Sequence, residues 1–142
     1  MRASNELCGT QLIEALNEDI ERELRLADEL IERALSAASL RMEAVRSHSC
    51  ACAAAAMRHA TALAAEVLHL GGVPPPCIPR DLPCSRDRMA HASDLFRRYR
   101  QRLKMANDLG LLGLEEVLRE IIQDLRVCSR TRNGMFRLIR IN

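Results

Sequence analysis

Apolar residues recur along this chain at alternating intervals of three and four, the repeat that turns one face of a helix inward and lets helices pack at a shallow angle. A first stripe runs through Leu16, Ile20, Glu23, Ala27, Leu30 and Ala34. A second runs through Val45, Ser49, Cys52, Ala56, His59, Leu63, Val67 and Leu70. Met89, Ala92, Phe96, Tyr99, Leu103 and Ala106 form a third, and Leu114, Leu118, Ile121, Leu125 and Cys128 a fourth. Each stripe predicts one helix.

Punctuation sets the boundaries. Gly71-Gly72-Val73-Pro74-Pro75-Pro76 stops a helix, because glycine accepts the C-terminal cap conformation and proline cannot continue the ladder. The irregular stretch extends through Pro79 and Pro83 to Ser85, an N-cap residue. Asn107-Asp108-Leu109-Gly110 makes a second break, and Gly113 precedes a helix with Glu115 and Glu116 in its first turn. Residues 5 to 70 read as continuously helical, too long for one globular helix, and Ser36 to Ser39 is the softest point for a turn. The helices are therefore expected near 5–35, 39–70, 85–107 and 113–130. The fold class is all-α: one four-helix domain, an antiparallel bundle of two hairpins joined by one long crossover between the second and third helices. In the tail, 131–142, Asn133-Gly134 is a turn signal and Met135 to Ile141 alternates weakly like a strand, so a frayed or subunit-contacting end is expected.

Composition agrees with helices. Of the 142 residues, 48% are hydrophobic but only 2% aromatic, so alanine and leucine carry the core in place of the β-branched and aromatic residues a sheet requires. The formal charge of +2 is too near balance to argue for nucleic acid. Arg97, Arg98, Arg100 and Arg102 form the densest basic stretch, which on a helix reads as a solvated face. No apolar run reaches the length of a membrane span, and Met1 to Glu6 lacks the apolar core of a signal peptide, so a cytoplasmic location is expected. There the six cysteines are expected as thiols or ligands.

Two stripe positions carry chemistry. Glu23 interrupts an apolar face, and a buried carboxylate is costly unless paired, protonated or metal-bound. His59 is also inward. Both lie near mid-helix, and antiparallel packing brings them together. Spacing alone favours a buried Glu–His hydrogen bond over a pair of metal ligands, since two ligands are too few for a tight site.

Leu16-Asn17-Glu18-Asp19-Ile20-Glu21-Arg22-Glu23-Leu24 resembles the first helix of bacterioferritin and its relatives. Met57-Arg58-His59-Ala60, with Leu63-Ala64 and Leu70-Gly71-Gly72-Val73-Pro74, is similar to the second helix and its crossover. Tyr99-Arg100-Gln101-Arg102 and Leu118-Arg119-Glu120-Ile121 fit the third and fourth helices. The resemblance covers about residues 10 to 128 and implies a ferritin-like bundle. In that family a Glu from each of two helices and a Glu-x-x-His from each of the others hold two irons. Carried over by position, Glu23 and His59 are kept. Ala56 replaces the bridging Glu, and Ala92 stands at the third-helix Glu. Leu125 and Cys128 replace the second Glu-x-x-His. His91 and Asp94 lie beside Ala92 and would need a rotation to point inward.

Two irons need bridging carboxylates, so normal ferroxidase activity is not expected. The resemblance implies an oligomeric protein of the iron-storage lineage acting as a binding or structural subunit, as a homo-oligomer or with a complete paralogue. One rival is a ferroxidase built from Glu23, His59, His91 and Asp94. The other is a soft-metal or thiol-based protein, since Glu23, Cys52, His59 and Cys128 could face one core and thiolate with imidazole suits zinc. Against it, a buried Cys ordinarily behaves as a small hydrophobe. His48 and Cys52 share a helix face while Cys50 points elsewhere, and Cys77 and Cys84 lie in the crossover. Met57 occupies the position of the family's haem-ligating methionine, though interface packing is favoured over haem there.

Overall fold

The computed structural model describes the backbone of residues 2–76 and 88–141, and side chains for 4–76 and 94–129. Four helices account for nearly all of it: α1 (Arg2–Ser39), α2 (Glu43–His69), α3 (Arg88–Asp108) and α4 (Leu112–Ile141). No strand occurs among the described residues.

The turn between α1 and α2 falls at 40–42, later than the serines suggest. Ser36 and Ser39 stay helical, and the Ser39 hydroxyl bonds back to the Leu35 carbonyl at 3.2 Å, a satisfied way to keep serine inside a last turn. The stop is made by Arg41, whose φ of 55° is left-handed. The Arg41 N–H donates to Ala38 O at 3.2 Å and the Met42 N–H to Ala37 O at 2.8 Å, closing the orphan carbonyls of the last turn. Gly71, at φ 83°, ends α2 with the same pattern: its N–H reaches Leu68 O and the Gly72 N–H reaches Val67 O. Glycine advertises the second stop in the sequence; nothing advertises the first.

The second correction lies at the C-terminus. The backbone of α4 continues to Ile141 through Asn133-Gly134. Arginine, leucine and methionine supply enough helix propensity to override a weak turn signal and a weak period-two alternation. The expected helix start near Ser85 lies outside the described residues, as do Cys77 and Cys84; α3 is helical from Arg88.

The core follows the stripes. Leu12, Leu16, Ile20, Leu63, Val67, Tyr99, Ala106, Leu114, Leu118 and Ile121 are buried together. Ile13 of α1 packs where α2 ends, so close to Gly72 that a Cβ there would stand 2.6 Å from the Ile13 Cγ2. Asn17 Nδ2 donates to Val73 O at 3.0 Å, pinning the segment after α2 against α1. Glu23 meets His59 further along, so α1 and α2 run in opposite directions. With α3 packed along α4, the four stripes close on one another as a bundle, and the Glu23 and His59 positions face its interior.

Candidate functional site

Every helix contributes a side chain to one polar network that runs from the interior towards the surface. Glu23 of α1 is fully buried. Tyr99 of α3 donates its hydroxyl to Glu23 Oε1 at 2.5 Å, a short charge-assisted bond. His59 Nδ1 of α2 lies 3.4 Å from the same oxygen, an ion-pair distance rather than a good hydrogen bond. His59 Nε2 is 2.8 Å from Asp124 Oδ2 of α4. The chain Tyr99–Glu23–His59–Asp124 therefore ties all four helices. Burial opposes charge on the His59 ring, but Glu23 and Asp124 together outweigh it and raise its pKa above the ordinary 6.5. Burial, then the Glu23 charge, push the Tyr99 phenol well above its usual value, so it stays a donor.

One turn earlier on α1, Asp19 is also fully buried and receives Arg102 of α3, with Nε at 2.8 Å from Oδ2 and Nη2 at 3.5 Å from Oδ1. Removing one partner from such a buried pair costs about 3–5 kcal/mol, because the other charge is left without compensation. The sequence contains the signal for both contacts. Asp19 and Glu23 share an α1 face at i,i+4, and Tyr99 and Arg102 share an α3 face at i,i+3, in opposite order along the chain. Arg102, grouped with a solvated basic face, is instead a core residue.

A cavity of about 660 Å³ lies beside this network. Glu23, Cys52, Ala56, His59, Leu125 and Cys128 all line it, so five of the stripe positions singled out by spacing do share one space with the acid of the first helix. Exposed Arg97, Arg100 and Lys104 also line it, so it reaches solvent. Ala56 is buried, at 2% exposure. Cys52 Sγ and Cys128 Sγ are 3.0 Å apart, with the Cys52 thiol donating. The His48 ring stands one turn from Cys52 at 3.5 Å, as the shared helix face predicts, and Cys50 is exposed elsewhere. The hydrogen bond from Cys52 lowers the Cys128 pKa, against burial, from 9.0 to about 7.

No protein-family model matches the chain, and no curated protein sequence matches it. The site must therefore be read from its own geometry.

Two further sequence candidates fall elsewhere. Asp94 accepts from Arg97 at 2.6 Å and Arg98 at 2.9 Å, with Arg22 at 3.6 Å. Arg97 and Arg98 hold its carboxyl below the usual range, and it does not line the cavity beside Glu23 and His59. The side chains of His91 and Ala92 lie outside the described residues. Met57 points away from the core, at 47% exposure. Asp124, which sequence reasoning passes over, stands four residues before Cys128 on the same face of α4 and takes the second nitrogen of His59.

Among the described residues, the donors do not fit a two-iron centre. At the position where the resemblance to bacterioferritin implies a bridging carboxylate, Ala56 offers a methyl group, and Leu125 is equally unable to bind a hard cation. Glu23 Oε2 and His59 Nδ1 are the buried atoms of this network left without a hydrogen-bond partner among the described residues. Two such atoms cannot neutralise two divalent ions.

Proposed function

We propose that the chain is a ferritin-like bundle whose two-iron centre has been dismantled, and that it serves as a non-catalytic binding or structural subunit in an assembly of its own copies or with a complete paralogue. The carrying observation is the pairing of Ala56, buried at the level of Glu23 and His59, with the reuse of those two residues as partners of Tyr99 and Asp124. A carboxylate and an imidazole that would otherwise bind metal are engaged in holding helices together. Loss of the bridging acid also removes the like-charge strain that a metal normally relieves.

Helix direction supports the ferritin-like part. Asp19 meets Arg102 while Glu23 meets Tyr99, so α3 runs opposite to α1 and alongside α2 in the same sense. Cys52 meets Cys128 while His59 meets Asp124, so α4 runs opposite to α2. A chain that leaves the end of α2 and re-enters at the start of α3 must then return the length of the bundle. The 27 residues of α2 span about 40 Å at 1.5 Å per residue. Residues 70–87 can cover that at about 3.3 Å per extended residue. This direction pattern supports one long crossover between second and third helices.

Assembly is supported by apolar exposure. Ile31 and Leu35 lie one turn apart on α1, and Leu40 and Met42 occupy the turn that follows; all four are exposed.

An anaerobic iron(II) titration of the full chain, followed by admission of oxygen, tests the reading. The expected result is no tight saturation at two irons per chain and oxidation no faster than in buffer. Stoichiometric binding of two irons with rapid oxidation overturns it.

A further inference from the structure

Cys52 and Cys128 come from different helices, 76 positions apart in sequence, yet their sulfurs lie 3.0 Å from each other. A disulfide bond is about 2.05 Å long, so the pair is about one ångström from bonding distance, within the reach of small side-chain rotations. Both cysteines line the cavity, which exposed side chains carry out to solvent, so a small oxidant has access. His48, against Cys52, supplies a ring nitrogen at 3.5 Å to which the Cys52 proton can pass. The exposed Cys50 and Cys8 are in neither contact.

We propose that Cys52 and Cys128 form a redox-active dithiol that a hydroperoxide closes into a disulfide across α2 and α4. The sulfur of Cys128, deprotonated, attacks the near oxygen of the peroxide. The O–O bond breaks and the leaving alkoxide or hydroxide takes up a proton, leaving Cys128 as a sulfenic acid. Cys52 gives its proton to His48 and attacks the Cys128 sulfur. The S–O bond breaks, and the departing hydroxide takes a proton to become water. Two thiols and one hydroperoxide yield one disulfide, one alcohol (water, for hydrogen peroxide) and one water; the sulfurs lose two electrons and the peroxide gains them. Closure links the two hairpins covalently, and a small thiol reverses it. The device uses neither Glu23 nor iron, so it stands or falls apart from the ferritin-like reading.

The test is titration of the full, pre-reduced chain with hydrogen peroxide, counting remaining thiols and mapping linkages by mass spectrometry of non-reduced digests. The expected first product has lost two of the six thiols. It contains a Cys52–Cys128 linked peptide pair in a monomeric chain, and dithiothreitol restores both thiols. Cys52→Ser is expected to leave a Cys128 sulfenic acid that dimedone traps and that advances to sulfinic acid. Cys128→Ser is expected to slow thiol loss at least tenfold. First loss at any other pair, or sulfinic acid at Cys128 of the unaltered chain with no linked peptide, overturns the proposal. The unaltered chain alone decides between these outcomes should either variant fail to fold.

Discussion

At the residue scale, the interior of this bundle is organised by side chains that neutralise one another. Glu23 is acceptable at zero exposure because Tyr99 donates to it and the His59 ring stands 3.4 Å away. The raised His59 pKa has a consequence for stability. The folded state holds the His59 proton more tightly than the unfolded chain. That contribution is complete below about pH 6.5, the unfolded value, and is lost as the pH climbs through the higher folded value. Cys128 acts in the opposite sense: its lowered pKa adds stability at high pH that is lost as the pH falls through about 7. Comparison with His59→Gln isolates the histidine. In urea unfolding between pH 5.5 and 8.5, the advantage of the native chain over the variant is expected to shrink as the pH rises; an advantage that grows with pH would refute the assignment. For Cys128 itself, alkylation by iodoacetamide is expected to reach half its maximal rate near pH 7. In Cys52→Ala that midpoint is expected to move upward, because the Cys52 hydrogen bond, which alanine cannot supply, is the main cause of the shift. A midpoint that stays near 7 in the variant would assign the shift to another group.

At the element scale, what the sequence displayed was periodicity, and what it concealed was local backbone chemistry. Glu23, Ala56 and His59 were placed inside by a three–four repeat, and burial at those positions follows it because the repeat is the geometry of the helix itself. The α1–α2 turn is illegible in the sequence because arginine, which carries no turn preference, adopts the left-handed conformation at position 41. That conformation costs a residue with a Cβ about 1–2 kcal/mol. Arg41→Gly is therefore expected to stabilise the chain by about 1 kcal/mol, seen as a higher urea midpoint with an unchanged slope. A lower midpoint would mean that the arginine side chain contributes more than the strain costs. The extension of α4 was illegible for a different reason: at Asn133-Gly134 a short turn signal competes with helical neighbours on both sides, and cooperativity favours continuing the ladder. Asp19 and Arg102 were legible in principle as matched pairs on α1 and α3, but only once both helices are set in register.

At the scale of the whole molecule, the contacts give each helix a direction, and no helix among the described residues is long and apolar enough to cross a membrane. Two kinds of polar contact join the hairpins. The buried ones, Asp19–Arg102 and Tyr99–Glu23, fix α1 against α3 permanently. The Cys52–Cys128 and His59–Asp124 contacts join α2 to α4 beside the cavity, and the first of them is the one open to oxidation. On the ferritin-like reading proposed above, alanine and leucine occupy positions from which metal ligands would come, and hydrogen bonds join the helices instead. The most direct test is an anomalous difference map, collected at the iron edge, from crystals of the chain grown anaerobically with excess iron(II). The account predicts no pair of iron peaks between Glu23, Ala56, His59 and Leu125. Two full peaks about 3.5–4 Å apart at that level, the spacing of a working two-metal site, would contradict it.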